Sequence, residues 1–280
     1  MTQLRISAIS YLNTAPLMWD FEHGAAGQNF DISYTLPSSC ARALEAGTAD
    51  IGIIPAAAYA SIPGLQILPG VAIASRQPVR SILLVSNVPV EEVNTVALDT
   101  SSMTSVALTK VIFEKWIGSG RIFTSMPPDL DTMLASSDAA LMIGDPALQV
   151  DRSRYYSLDL AEEWIRYTGK PFVFAFWAVR EKAISGRSAD EISDLAATFP
   201  RSRDHGLEPE SLSWIAREWA PRLNLNEDDV RSYLTGNIHY QLDSACLEGL
   251  QLFYRYAAEI GALPSVPEIS FLQAASPAVV

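Results

Sequence analysis

Cysteine and histidine are scarce, two and three residues in a chain of 280. Cys40 and Cys246 lie far apart in sequence and form no metal-ligand or redox spacing, so buried thiols are the expectation and no zinc or haem pattern exists. His23, His205 and His239 stand in no catalytic spacing, and no Ser or Cys elbow surrounds them; they read as surface or packing residues. Positive charge is also short. Lys+Arg 20 against Asp+Glu 32 gives a net charge of −12, which argues against nucleic acid or an anionic membrane surface as a partner. An anionic small molecule stays open, provided helix N-termini, hydroxyls and a few placed cations hold it against the overall field. No apolar run is long enough to span a bilayer. The first residues show no basic region followed by a long apolar run and a small-residue cleavage site, so a cytoplasmic protein is expected.

Against these absences stand 49% hydrophobic residues, enough for one large core or two modest ones. The apolar segment Leu4 to Ile9 alternates as a strand does, and Leu17, Met18, Trp19 and Phe21 follow helical spacing. Ser10 to Pro16 is therefore a strand-to-helix turn, with Asn13 or Thr14 as cap and Pro16 in the first helical turn. Open α/β folds place ligands at turns of this kind, although a plain capped helix start accounts for it equally. Strands over 30–36 and 50–54 and helices after Ser38 and Pro55 continue the series. The order β, α, β, α, β, α predicts a mainly parallel sheet covered on both faces.

A second series follows the long apolar strand Val79 to Ser86: strand 95–98, helix 104–116, strand 121–124, helix 129–135, strand 138–143. Ala49-Asp50-Ile51 and Ser137-Asp138-Ala139 open matching stretches of Asp, apolar strand, turn with Pro, helix. After the helix Leu158 to Tyr167, the apolar strand Phe172 to Arg180 leads back, and residues 190–262 are helical, with a tail from Pro264 extended along the surface. Two α/β lobes crossed by two strands form a hinged cleft. The expected partition is 1–88 for the first part of one lobe, 89–172 for the other, and 173–280 for the return strand and closing helices.

The strand-to-helix turns facing that cleft supply the candidates. Asn13 and Thr14 lie in the opening turn, Ser38 and Ser39 at a helix N-terminus of the first lobe, and Ser101, Ser102, Thr104 and Ser105 at a helix entrance of the second. Capping alone explains Ser38 and Ser39. One cap needs only one of four hydroxyls, so anion binding stands beside capping for the second-lobe run. Asp145 ends a central strand, where a helix cap competes with a ligand contact. Ser81 and Arg80 open the crossing strand, and Arg80 and Arg76 are the candidate cations.

Ser10-Tyr11-Leu12-Asn13-Thr14-Ala15-Pro16-Leu17, Gly47-Thr48-Ala49-Asp50-Ile51-Gly52-Ile53-Ile54-Pro55, Leu98-Asp99-Thr100-Ser101-Ser102-Met103-Thr104-Ser105, Ile143-Gly144-Asp145-Pro146-Ala147 and Lys170-Pro171-Phe172-Val173-Phe174-Ala175 resemble, in this order, the menaquinone-biosynthesis family of the futalosine route. The likeness covers about the first two-thirds of the chain. It implies an α/β fold of the two-lobed type 2 periplasmic-binding-protein-like kind, with a cleft between lobes, used as an enzyme. It further implies loss of water from chorismate to give 3-[(1-carboxyvinyl)oxy]benzoate, with no metal or organic cofactor. Asn13 is the residue it implicates in catalysis, and Ser81, Ser101, Ser102, Thr104 and Ser105 match substrate-binding positions; Ser38, Ser39 and Asp145 are carried over with them. Two other readings are a sister enzyme that makes 1,4-dihydroxy-6-naphthoate, associated with a different opening motif, and a non-catalytic solute-binding protein.

Overall fold

The computed structural model describes residues 3–273 of the chain; the last part of the tail, 274–280, lies outside the described residues. Ten strands build two five-stranded sheets. Strands β1 (Leu4–Ile9), β2 (Phe30–Thr35), β3 (Ile51–Pro55) and β4 (Leu65–Ser75) belong to the first sheet. Then come β5 (Ile82–Ser86), β6 (Thr95–Asp99), β7 (Ile122–Met126), β8 (Ala139–Ile143) and β9 (Tyr156–Asp159) in the second, before β10 (Phe172–Arg180) returns to the first. The orders are β2-β1-β3-β10-β4 and β7-β6-β8-β5-β9.

Neither sheet is mainly parallel throughout. β2, β1 and β3 run parallel, but β10 is antiparallel to both β3 and β4, and β5 is antiparallel to β8 and β9. The reason is the double crossing: a strand arriving from the other sheet enters from the opposite end. Read position by position, the two orders coincide, and the crossing strands β10 and β5 occupy equivalent places. The paired Asp motifs carry the same job in each sheet. Asp50 accepts the Arg5 N–H at 3.0 Å where β1 begins, and Asp138 accepts the N–H groups of Asn94 and Thr95, both at 2.9 Å, where β6 begins.

Several local expectations shift for identifiable reasons. The apolar stretch Leu65–Ser75 forms a single strand, β4, with shifted register along β10. The crossing strand starts at Ile82 rather than Val79, because Arg80 has φ 65° and the N–H groups of Val79 and Arg80 are held by the Asp159 carboxylate at 3.1 and 2.6 Å. Asp159 also caps the helix Leu160–Thr168, as its position suggests. The helix entered at Thr104 is α-helical to Ile112 and widens to a π turn over Phe113–Ile117.

The helices after β10 do more than cover the first sheet. Helix Ala189–Gly206 lies against the opening turn: Ser202 Oγ donates to the Leu17 carbonyl and accepts the Asp20 N–H, each at 2.9 Å. At Gly206 the fit is so close that a Cβ would meet the Pro16 carbonyl oxygen at 2.0 Å. The described part of the tail runs extended beside β4, where Phe271 pairs with Ile67. Among the described residues, no helix is long and apolar enough to cross a membrane.

Candidate active site

The opening turn is a 3-10 helix, Leu12–Met18, with Tyr11 at its N-cap and no side-chain cap from Asn13 or Thr14. The orphan donors of such a start need acceptors. One comes from the other sheet: Asp145 Oδ1 accepts the Leu12 N–H at 2.9 Å. Pro16 sits inside the turn, not at its first position. Thr14 Oγ1 donates to Asn13 Oδ1 at 3.3 Å. Asn13 is nevertheless 8% exposed, because it borders a cavity.

That cavity, about 50 Å³, lies between the two sheets. Tyr11, Asn13, Ser102, Thr104, Ser105 and Phe174 line it, with Ile73, Ile82 and Ile143 supplying apolar wall. No Lys, Arg or His lines it among the described residues. Any anion held there meets hydroxyls, an amide and the N-terminus of the helix Thr104–Ile112, whose free N–H groups carry partial positive charge.

The hydroxyl run divides by task. Ser101 folds its own loop: its N–H and Oγ–H both reach Asp99 Oδ1, at 2.7 and 2.6 Å, while burial pushes that carboxyl above the usual range. Thr104 bridges the two halves, donating to the Phe174 carbonyl at 3.0 Å and accepting the Ala57 N–H at 3.1 Å. Ser102 Oγ accepts the Ser105 N–H at 3.3 Å. The O–H groups of Ser102 and Ser105 donate to no other group among the described residues and are the ones open to a ligand.

Other candidates take part without lining the cavity. Ser38 is not the cap of its helix, which starts at Pro37 with Leu36 at the N-cap; its N–H instead donates to the Ser101 carbonyl at 3.0 Å, another link between the halves. Ser39 Oγ accepts from Arg42 on an exposed flank. Ser81 is fully buried; its carbonyl accepts the Gly144 N–H and its Oγ the Tyr233 O–H, both at 2.8 Å. Neither candidate cation reaches the site. Arg76 pairs with Asp243, and Arg80 stands in the turn before β5 outside the cavity lining. His239, Asp243 and Cys246 do converge. There, burial works against the Asp243 charge, but the Cys246 N–H, His239 and Arg76 together bring its pKa to about 2, and burial pushes the Cys246 thiol up to about 12. A carboxylate already paired and a thiol held neutral make this an ion-pair cluster, not a ligand set.

Tyr11 and Tyr233 carried no sequence signal of their own as site residues. Tyr11 stacks its ring over Gly144, where φ is 62° and a Cβ would come within 2.5 Å of the ring. Burial pushes its phenol up to about 12, against the pull of Ser101.

Burial also pushes the Asp145 carboxyl up to about 6, against the pull of the Leu12 N–H. A carboxyl with a raised pKa holds its proton more tightly in the folded state than in the unfolded one. Its burial therefore costs nothing below about pH 4, where both states are protonated, and most above about pH 6, where both are ionised. An Asp145→Asn variant keeps an acceptor for Leu12 and is expected to gain in melting temperature over the parent as the pH rises from about 4 to 7. A gap that stays constant across that range removes Asp145 from the buried contact.

The comparisons with known proteins bear on the family and the fold. A family model described as menaquinone biosynthesis matches residues 4–259. The chorismate dehydratase of Thermus thermophilus is 27% identical over 275 residues, 92% of this chain and 94% of that protein. The chorismate dehydratase of Campylobacter jejuni is 29% identical over 175 residues, 61% of this chain and 62% of its own. Among solved structures, the periplasmic aliphatic sulphonate binding protein of Escherichia coli shares 16% identity and superposes with a TM-score of 0.65 over 95% of each chain. At that identity the likeness shows the fold alone, a two-lobed fold of the periplasmic-binding-protein type.

Proposed function

The chain belongs to the menaquinone-biosynthesis family, and from that premise we propose that it dehydrates chorismate to 3-[(1-carboxyvinyl)oxy]benzoate in the cavity between its lobes. The observation that carries the reading is the wall of that cavity: Asn13 from one half and Ser102 and Ser105 from the other, uncharged donors around a space bounded by apolar side chains. Chorismate carries two carboxylates on a cyclohexadiene ring, and such a wall suits it. The lobes divide at the crossing segments, with β5 (Ile82–Ser86) in the second lobe rather than within 1–88 of the first, and a cytoplasmic location goes with the reading.

The reaction aromatises the ring, so it runs downhill and needs positioning, a proton acceptor and help for the leaving oxygen. The C3–H bond breaks, its electron pair enters the ring, the C4–O bond breaks, and the hydroxide leaves as water with the abstracted proton. Asn13 does not titrate in the useful range, so its part is to orient the substrate and hydrogen-bond developing charge. The proton acceptor in this account is a carboxylate of the substrate itself, held against the C3 proton. One carboxylate meets the Ser102 and Ser105 hydroxyls and the helix N-terminus above them. The other meets first-lobe donors at Asn13, with Ser38, Ser81, Ser101, Thr104 and Asp145 holding the surrounding turns. Contacts from both halves make the closed arrangement favourable only with ligand bound.

Incubation of the purified protein with chorismate, followed by absorbance and mass of the product, tests this. Loss of one water per chorismate supports the reading. Binding without conversion favours the solute-binding alternative, and absence of both excludes chorismate as its ligand.

A further inference from the structure

We propose that Tyr11 is the catalytic acid of the dehydration, protonating the C4 oxygen as it departs; the proposal rests on the function proposed above and names the group that helps the leaving oxygen. Hydroxide is a poor leaving group, so its oxygen needs a proton while the C4–O bond breaks. The cavity wall offers few sources. Among the described residues that line it, Tyr11 is the only one with a titratable side chain. Thr104 directs its hydroxyl proton at the Phe174 carbonyl, and the Ser102 and Ser105 hydroxyls, like the Asn13 amide, give hydrogen bonds without giving up a proton in the useful range. Two carboxyls of the second lobe face the tyrosine, but Asp145 holds the Leu12 N–H, Asp99 holds the Ser101 loop, and neither stands in the wall.

The placement of the ring suits the role. Tyr11 belongs to the first lobe, yet its Cδ2, Cε2 and Cζ all come within 2.8 Å of where a Cβ on Gly144 of the second lobe would stand. Gly144 is part of the wall, so the carbon that carries the hydroxyl lies at the cavity edge. The backbone beneath is fixed, since the Tyr11 carbonyl accepts the Thr14 N–H at 2.9 Å. Burial pushes the phenol up to about 12 against the pull of Ser101, and the charges of Asp99 and Asp145 oppose its ionisation as burial does. On its outer side it shares a cleft with Glu22, Tyr34, Glu218 and Arg222, where the Tyr34 O–H donates to Glu22 and Arg222 pairs with Glu218. The phenol therefore keeps its proton at neutral pH, while remaining a stronger acid than water, whose pKa is about 15.7. The step balances. The substrate carboxylate takes the C3 proton, the C3–H pair becomes the new ring π bond, the C4–O pair leaves on oxygen, and that oxygen takes the Tyr11 proton to form water. The carboxylic acid so formed returns its proton to the phenolate.

The experiment is steady-state turnover of chorismate by the parent, by Tyr11→Phe and by protein with 3,5-difluorotyrosine at position 11, each followed from about pH 6 to 10. Tyr11→Phe keeps the ring over Gly144 and is expected to lose about 100-fold in kcat with KM nearly unchanged. Fluorination lowers the phenol pKa while keeping ring and hydroxyl, so kcat of that protein is expected to fall on the alkaline side at a pH where the parent holds its rate. Parental kcat in Tyr11→Phe, a change confined to KM, or a fluorinated protein with the parental pH profile each overturn the assignment. The fluorinated protein decides the matter by itself if Tyr11→Phe does not fold. A parent that leaves chorismate unconverted defeats the reaction and the role of Tyr11 with it, an outcome distinct from a working parent indifferent to the loss of the phenol.

Discussion

An Asn13→Asp variant is expected to lose about 100-fold or more in kcat for chorismate while its far-UV circular dichroism stays that of the parent, the range seen when one preorganised donor to developing charge is removed. The exchange is nearly isosteric, so the opening turn, fastened by Asp145 on one side and by Ser202 on the other, keeps its place. What changes is charge and polarity. The amide's donor becomes an acceptor, at the edge of a cavity with no lining cation among the described residues. A dianionic substrate then meets a carboxylate where it had met a donor. Turnover at the parental rate in this variant removes Asn13 from the mechanism.

Gly144→Ala is expected to act on the seam between the lobes instead of on the chemistry. Position 144 has φ 62°, a region that costs an alanine about 1–2 kcal/mol, and its Cβ would fall 2.5 Å from the Tyr11 ring. The ring has little room, since Tyr11 is packed beside Ser101 and Asp99 at the same seam. The two halves are then held apart where the Asp145 to Leu12 bond closes them. A loss of about 10- to 100-fold in kcat/KM follows from misplacing donors by an ångström or so, together with an increase in the radius of gyration of the liganded protein by small-angle scattering. Parental kcat/KM in Gly144→Ala means that the contact between Tyr11 and Gly144 plays no part in forming the site.

The difference between these residues and those the sequence displayed is one of range. The turn at Ser10 to Pro16, the four hydroxyls after Asp99 and the Asp echo at 50 and 138 are local patterns, and local patterns in strands and helix starts are what periodicity and capping chemistry record. The placement of the opening turn and the hydroxyls around one cavity follows from the order of short connections, while Asp50 and Asp138 stand where β1 and β6 begin. The antiparallel crossing strands were less legible, because an apolar run such as Phe172 to Arg180 has the same composition in either direction. Tyr233 was not legible at all. Its partner Ser81 is 152 positions away, and nothing in Val230, Arg231 or Ser232 marks the turn that brings them together. Ser38 and Ser101 show the converse: capping for Ser38 and anion binding for Ser101 are the local readings, yet the Ser38 N–H and the Ser101 carbonyl form a backbone link between the halves, with the Ser101 hydroxyl spent on Asp99.

The central claim is that a doubly negative ring is gripped by neutral groups from both halves of the molecule. A crystal structure with 3-[(1-carboxyvinyl)oxy]benzoate bound tests it most directly. The account predicts the aromatic ring beside Asn13, one carboxylate within hydrogen-bond distance of the Ser102 or Ser105 hydroxyls and the other on first-lobe donors. A product bound outside that cavity, or held with both carboxylates on a single lobe, contradicts it.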